Sequence, residues 1–154
     1  MYRTILVPYA GTKAGNEALQ HAINVANKSS TIIILHVVET IPYPPSFALS
    51  SSQRRSLLDS INEANDEMKK EMEKEMEVVS QKCKKNKIRS KIKVEVGYAD
   101  EIILDIIKKE KVDLVVMAKR RKLKGVKKLL SLGSVSRKIV ENAICPVLLV
   151  DVEK

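Results

Sequence analysis

Thr31-Ile32-Ile33-Ile34-Leu35-His36-Val37-Val38 is apolar at nearly every position, and that unbroken run decides the fold. A strand with one face in water alternates apolar and polar residues. A strand buried on both faces does not, and burial on both faces is the condition of a parallel sheet covered by helices. The run belongs near the sheet centre.

Upstream, Thr4-Ile5-Leu6-Val7-Pro8 is a shorter β-branched run, followed by Gly11 and Thr12 as a turn and helix cap. From Ala14, the residues Ala18, Ala22, Val25 and Ala26 recur at helical spacing, and Ser29-Ser30 ends that helix. Downstream, Pro42, Pro44, Pro45 and several serines disfavour regular structure until about Ser51, which makes this segment a candidate lid. Between Ser52 and Asn86 the stripe Leu57, Ile61, Ala64 or Asn65, Met68, Met72, Met76, Val79 and Cys83 predicts one long amphipathic helix, its methionines filling core.

Lys91 to Val96 alternates charged and apolar residues, the pattern of an edge strand. Ala99 to Lys109 predicts a third helix with Ile102, Ile103, Ile106 and Ile107 inward, and Val112 to Met117 a fourth strand. Gly133-Ser134 opens a fourth helix running through Ile139 and Val140 to Asn142, and Pro146 to Val152 supplies the last strand. Alternating β and α with right-handed crossovers gives a doubly wound, mainly parallel five-stranded α/β sheet. With strand one central the order is 3-2-1-4-5, and ligands bind outside the carboxyl ends where that order reverses, between strands one and four.

A chain of 154 residues is sized for one domain with its own core. Aromatics make up 3% and tryptophan is absent, so the core is aliphatic. A net charge of +9 favours anionic partners. The shortage of aromatic stacking platforms argues against nucleic acid. Cys83 and Cys145 have no disulfide-like spacing and read as buried thiols in a reducing cytosol. With no signal peptide and no apolar run of about 18 residues, a cytoplasmic location is expected.

Three segments converge on the crevice: Pro8 to Thr12, Val37 to Ile41, and the connection Ala118 to Ser136. The last carries seven cations from Lys119 to Lys128 and no acid, then Gly133-Ser134-Val135-Ser136 at a helix start. Unpaired amides at a helix N-terminus, with serine hydroxyls beside them, favour phosphate. The competing reading of Gly-Ser is a plain helix cap, and of the cations a solvated loop. His21 and His36 lack the paired spacing of a zinc site, and neither cysteine has a nearby histidine. His36 reads as a hydrogen-bonded residue near the sheet. No residue stands out to orient water, so binding is expected in preference to turnover.

Together these segments resemble the universal stress protein family over nearly the full length. The match lies in Thr4 to Pro8 with Gly11-Thr12, Leu35-His36-Val37-Val38-Glu39, Val96-Gly97 before Ala99-Asp100-Glu101-Ile102, Val112 to Met117, Gly133-Ser134-Val135-Ser136, and Cys145-Pro146 through Val150. The resemblance implies a Rossmann-like fold of the adenine nucleotide alpha hydrolase type. It also implies a stress-response role, a homodimer through the C-terminal strand, and, in the nucleotide-binding branch, ATP or AMP, with Mg2+ if ATP. Carried over position by position, Pro8, Tyr9 and Ala10 would flank base and ribose, and the Val38 backbone would meet the base edge. Met117, Ala118, Gly133, Ser134, Val135 and Ser136 would hold the phosphates.

The binders carry Gly-x2-Gly-x9-Gly-Ser/Thr after strand four. Here Gly133-Ser134 remains, but the earlier glycines fall on Arg120 and Leu123 counting back, or on Ala118 and Arg121 counting forward. Gly125 is the loop's remaining glycine, and Ala10 stands where the family has an acid. Side chains at such points block close phosphate approach unless cations bind it instead. Two readings therefore stay open. One is a binder of nucleotide or another phosphorylated small molecule. The other is a dimeric interaction module without a cofactor, its basic loop or long helix meeting an acidic protein partner. Binding of nucleic acid or a membrane surface by Lys119 to Lys128 is a third, without any membrane span.

Overall fold

The computed structural model describes residues 1–39, 45–119 and 132–151. In chain order these form β1 Thr4–Pro8, α1 Lys13–Val25, β2 Thr31–Val38, α2 Ser51–Lys85, β3 Arg89–Val96, α3 Ala99–Lys109, β4 Leu114–Ala118, α4 Ser134–Asn142 and β5 Val147–Val150. A 3-10 turn at Ser46–Ala48 breaks the otherwise irregular approach to α2, where the prolines and serines predict no regular structure. The sheet order is β3-β2-β1-β4-β5, and every neighbouring pair is parallel. The expected order is thus observed, and the sheet is parallel throughout.

Strand alternation divides the core into two layers. Ile32 and Ile34 of β2 pack with Ala18, Leu19 and Ala22 of α1 and Met76 and Cys83 of α2. Ile33 and Leu35 face the opposite way, onto Ile103, Ile106 and Ile107 of α3 and Ile139 of α4. All four β2 residues are essentially inaccessible, and each such side chain contributes about 1.5–3 kcal/mol through burial. Helices on both faces are what the unbroken apolar run requires.

The helix stripes differ in detail from the sequence reading. In α1 the inward residues are Gly15, Ala18, Leu19, Ala22 and Ile23. Val25, expected inward, is 41% exposed, because the helix ends there and Ala26 is already extended. At about 1.5 Å per residue, the 35 residues of α2 far outrun the strands. Met72, Met76, Val79 and Cys83 join the sheet core, but Met68 is 40% exposed. Val140 of α4 is likewise exposed. The α2 start is well defined: Ser50 accepts from Gln53 N, and the Gln53 side chain returns to Ser50 N, a reciprocal cap.

Candidate functional site

The crevice begins where β1 stops pairing with β4. Along β1 the backbone groups face β2 and β4 alternately. The Arg3 carbonyl accepts from Thr31 N, and Tyr9 N donates to the Leu35 carbonyl at 2.7 Å, so odd residues face β2. The Thr4 carbonyl accepts from Asp113 N, so even residues face β4. Pro8 is therefore turned toward β4, and it has no N–H to give. The β1–β4 register runs over Ile5↔Leu114 and Leu6↔Val115, whereas the β1–β2 register continues to Pro8↔Leu35. A proline at the end of the central strand thus opens the sheet at the point where the strand order reverses.

The turn after β1 is tied down on the other side. Tyr9 is buried, its phenol donating to Asn16 Oδ1 at 3.0 Å. Burial pushes the Tyr9 phenol up from its ordinary value, with Glu75 adding to the effect. A Cβ on Gly15 would stand 3.2 Å from the Tyr9 ring, a tight contact that would require the ring or helix to give by a few tenths of an ångström. The Tyr9 ring is thereby committed to the layer of α1 and α2. Gly11, at φ +71°, makes the turn, and Thr12 caps α1 through Gly15 N. Ala10 is exposed.

The α4 N-terminus is joined to the end of β4 through Ser136. Gly133 is its N-cap, without a side-chain cap and with no acid in the first turn. The first-turn amides and the positive end of the helix dipole are consequently not neutralised by any side chain of that turn. Among the described residues, a Cβ on Gly133 would meet nothing within 4 Å. Ser134 is exposed, Val135 half-buried and Ser136 buried. Ser136 Oγ donates to the Ala118 carbonyl at 3.2 Å, which joins the helix to the end of β4. Met117 is buried in the α3–α4 layer.

Val38 is buried, and its carbonyl already accepts from Gly97 N at 3.0 Å. Lys119 follows β4, donates its N–H to the Val150 carbonyl and holds Asp151 through Nζ at 3.0 Å. Lys138 of α4 pairs with Asp100 of α3 at 2.5 Å and holds that carboxyl below the usual carboxylate range. The structure thus turns Pro8 toward β4 and joins Ser136 of α4 to Ala118 at the end of β4. Arg120, Arg121, Leu123, Gly125 and the rest of the basic run to Lys128 lie outside the described residues, as do Pro42 and Pro44 of the candidate lid.

Sequence reasoning missed Asn16 and Lys82, whose Nζ donates to Asn16 Oδ1 at 3.0 Å; 66 positions separate them, and no local pattern links them. It placed His36 near the sheet but not on its partner, the Tyr9 carbonyl, 2.8 Å from Nδ1. Cys83 is buried as expected, but Cys145 is only partly so; burial pushes both thiols up. Among the described residues no cluster of three or more His, Cys, Asp or Glu could hold a metal ion, and no helix is long and apolar enough to cross a membrane.

Comparison with known proteins places these features in context. The sequence profile of the universal stress protein family matches residues 1–151. Universal stress protein MJ0531 of Methanocaldococcus jannaschii is 27% identical, over 97% of this chain and 82% of the relative. The solved structure of hypothetical protein MJ0577 superposes with a TM-score of 0.82 at 24% identity, covering 100% of this chain and 99% of that one. A universal stress protein family member from Arabidopsis thaliana, solved with AMP bound, gives a TM-score of 0.60 at 17% identity, covering 98% and 92% of the two chains. At these identities the structural likenesses are likenesses of fold.

Proposed function

We propose, from the premise that this chain belongs to the universal stress protein family, that it is a stress-response protein binding AMP, ATP or another phosphorylated small molecule in the crevice between β1 and β4. The single observation that carries this reading is the α4 N-terminus, which has no acid in its first turn and, among the described residues, neither a side-chain cap nor an atom that a Cβ on Gly133 would meet within 4 Å. Amides so placed suit a phosphate. Gly133 to Ser136, with Met117 and Ala118 behind them, would hold the phosphates. Pro8, Tyr9 and Ala10 would flank sugar and base, and the Val38 backbone would meet the base edge. The AMP-bound relative of the same fold supports the assignment. With ATP, Mg2+ would accompany the phosphates. In this reading the chain is one cytoplasmic domain that binds ligand without turning it over.

Calorimetry with AMP and ATP tests it. Saturable binding that is weakened tenfold or more by Gly133→Trp, which sets a bulky side chain beside those amides, is expected; no heat at millimolar nucleotide overturns it.

A second reading is favoured by a different observation. Val140, Ile144 and Leu148 are exposed apolar residues on α4, the α4–β5 connection and the edge strand β5. An exposed apolar edge invites strand pairing, so the chain would act as a homodimeric interaction module, with or without ligand. An acidic protein partner would then suit its net charge of +9.

A further inference from the structure

The first strand leaves the sheet in an unusual way. In the parallel ladder between β1 and β2, Tyr9 N makes the last rung, to the Leu35 carbonyl. The next rung would run from Val37 N to the Tyr9 carbonyl. Among the described residues no backbone N–H takes that carbonyl. It is instead 2.8 Å from His36 Nδ1. A carbonyl only accepts, so Nδ1 must carry the proton. The imidazole stands in for the missing rung and allows the chain to turn away toward Gly11 without leaving a buried acceptor unpaired.

The same residue is fixed at its far end, where the phenol donates to Asn16 Oδ1, an oxygen that Lys82 also holds. Tyr9 is thus held at N–H, carbonyl and hydroxyl at once. Its neighbour Pro8, the last residue of β1, is turned toward β4. We infer that His36 is a positioning residue for the crevice: as its Nδ1–H tautomer it sets the path of the Tyr9–Thr12 turn, and through that turn the width of the ligand site. The part of this inference that concerns ligand rests on the reading above; the part that concerns the turn does not.

Three measurements test it. In the wild-type chain, long-range 1H–15N spectra of the imidazoles are expected to show His36 protonated at Nδ1 and bare at Nε2 when neutral; the opposite tautomer overturns the inference and requires no variant. His36→Asn keeps a donor near the Nδ1 position, and His36→Leu removes it. Exchange protection of the Tyr9 amide is expected to fall tenfold or more in His36→Leu and to stay within about threefold of wild type in His36→Asn; equal protection in all three chains overturns the inference. AMP affinity is expected to follow the same order, with a tenfold loss in His36→Leu rescued in His36→Asn. Loss in both variants alike, or in neither, counts against positioning. Absence of AMP binding by the wild type removes the nucleotide reading instead, and the tautomer and exchange results still decide whether His36 sets the turn.

Discussion

Ser136 Oγ donates a 3.2 Å hydrogen bond to the Ala118 carbonyl, and this contact ties the first turn of α4 to the end of β4. The serine is buried, so water has little access to replace it. Removal of the hydroxyl by Ser136→Ala leaves the carbonyl short of a partner and is expected to cost about 1–2 kcal/mol in urea unfolding. If the crevice binds phosphate, AMP affinity falls as well, because the α4 amides lose their fixed aim. A variant as stable as wild type argues that the helix is held by packing alone.

The methionines of α2 divide by position. Met76 is fully buried in the sheet core, and Met68 is 40% exposed. Met76→Ala is expected to cost about 2–5 kcal/mol through transfer and cavity terms. Met68→Ala should stay within about 0.5 kcal/mol, as surface substitutions do. Chemical denaturation of the two variants checks this; equal losses contradict the assigned face of the helix.

Acid should loosen the contact between α3 and α4. The Lys138 ammonium, by hydrogen bonding Asp100, holds the carboxyl below its ordinary 3.8. A carboxyl lowered in the folded state contributes stability that is present above the unfolded value and is lost as pH falls through the folded one. Stability of the wild type should therefore decline below about pH 4 more steeply than that of Asp100→Asn. Identical pH profiles from urea titrations at pH 7 and pH 3 would show that the pair contributes nothing.

Should the chain dimerise along β5, the charge-bearing double variant Ile144→Asp/Leu148→Asp is expected to elute as a monomer with its far-UV circular dichroism intact. Ile144 is 72% exposed and Leu148 37%, so neither change disturbs the core. Unchanged elution of the variant at a dimer's mass would place the interface elsewhere.

Much of the fold was legible because hydrophobic periodicity is a local property of the chain. The run from Thr31 to Val38 announced burial on both faces, and the β–α alternation with right-handed crossovers led to the observed order. The stripes were legible in outline only. Val25 and Val140 are apolar and near helical spacing, yet both lie outside the core, since where a helix ends and which neighbour covers it are not local matters. At the site, the ties of Tyr9 were not legible, since the hydrogen bonds that hold it to Leu35, His36 and Asn16 join residues that no local pattern links.

The amino-acid sequence alone determined the α/β class, the parallel sheet and its order, because side-chain polarity against period decides which faces must leave water. Only the tertiary structure decided that Pro8 turns its missing donor toward β4, that His36 completes the ladder at Tyr9, and that Ser136 fastens α4 to Ala118. Each of these depends on strand register and on distances of about 3 Å between residues far apart in the chain, and hydrogen bonds form or fail over a few tenths of an ångström.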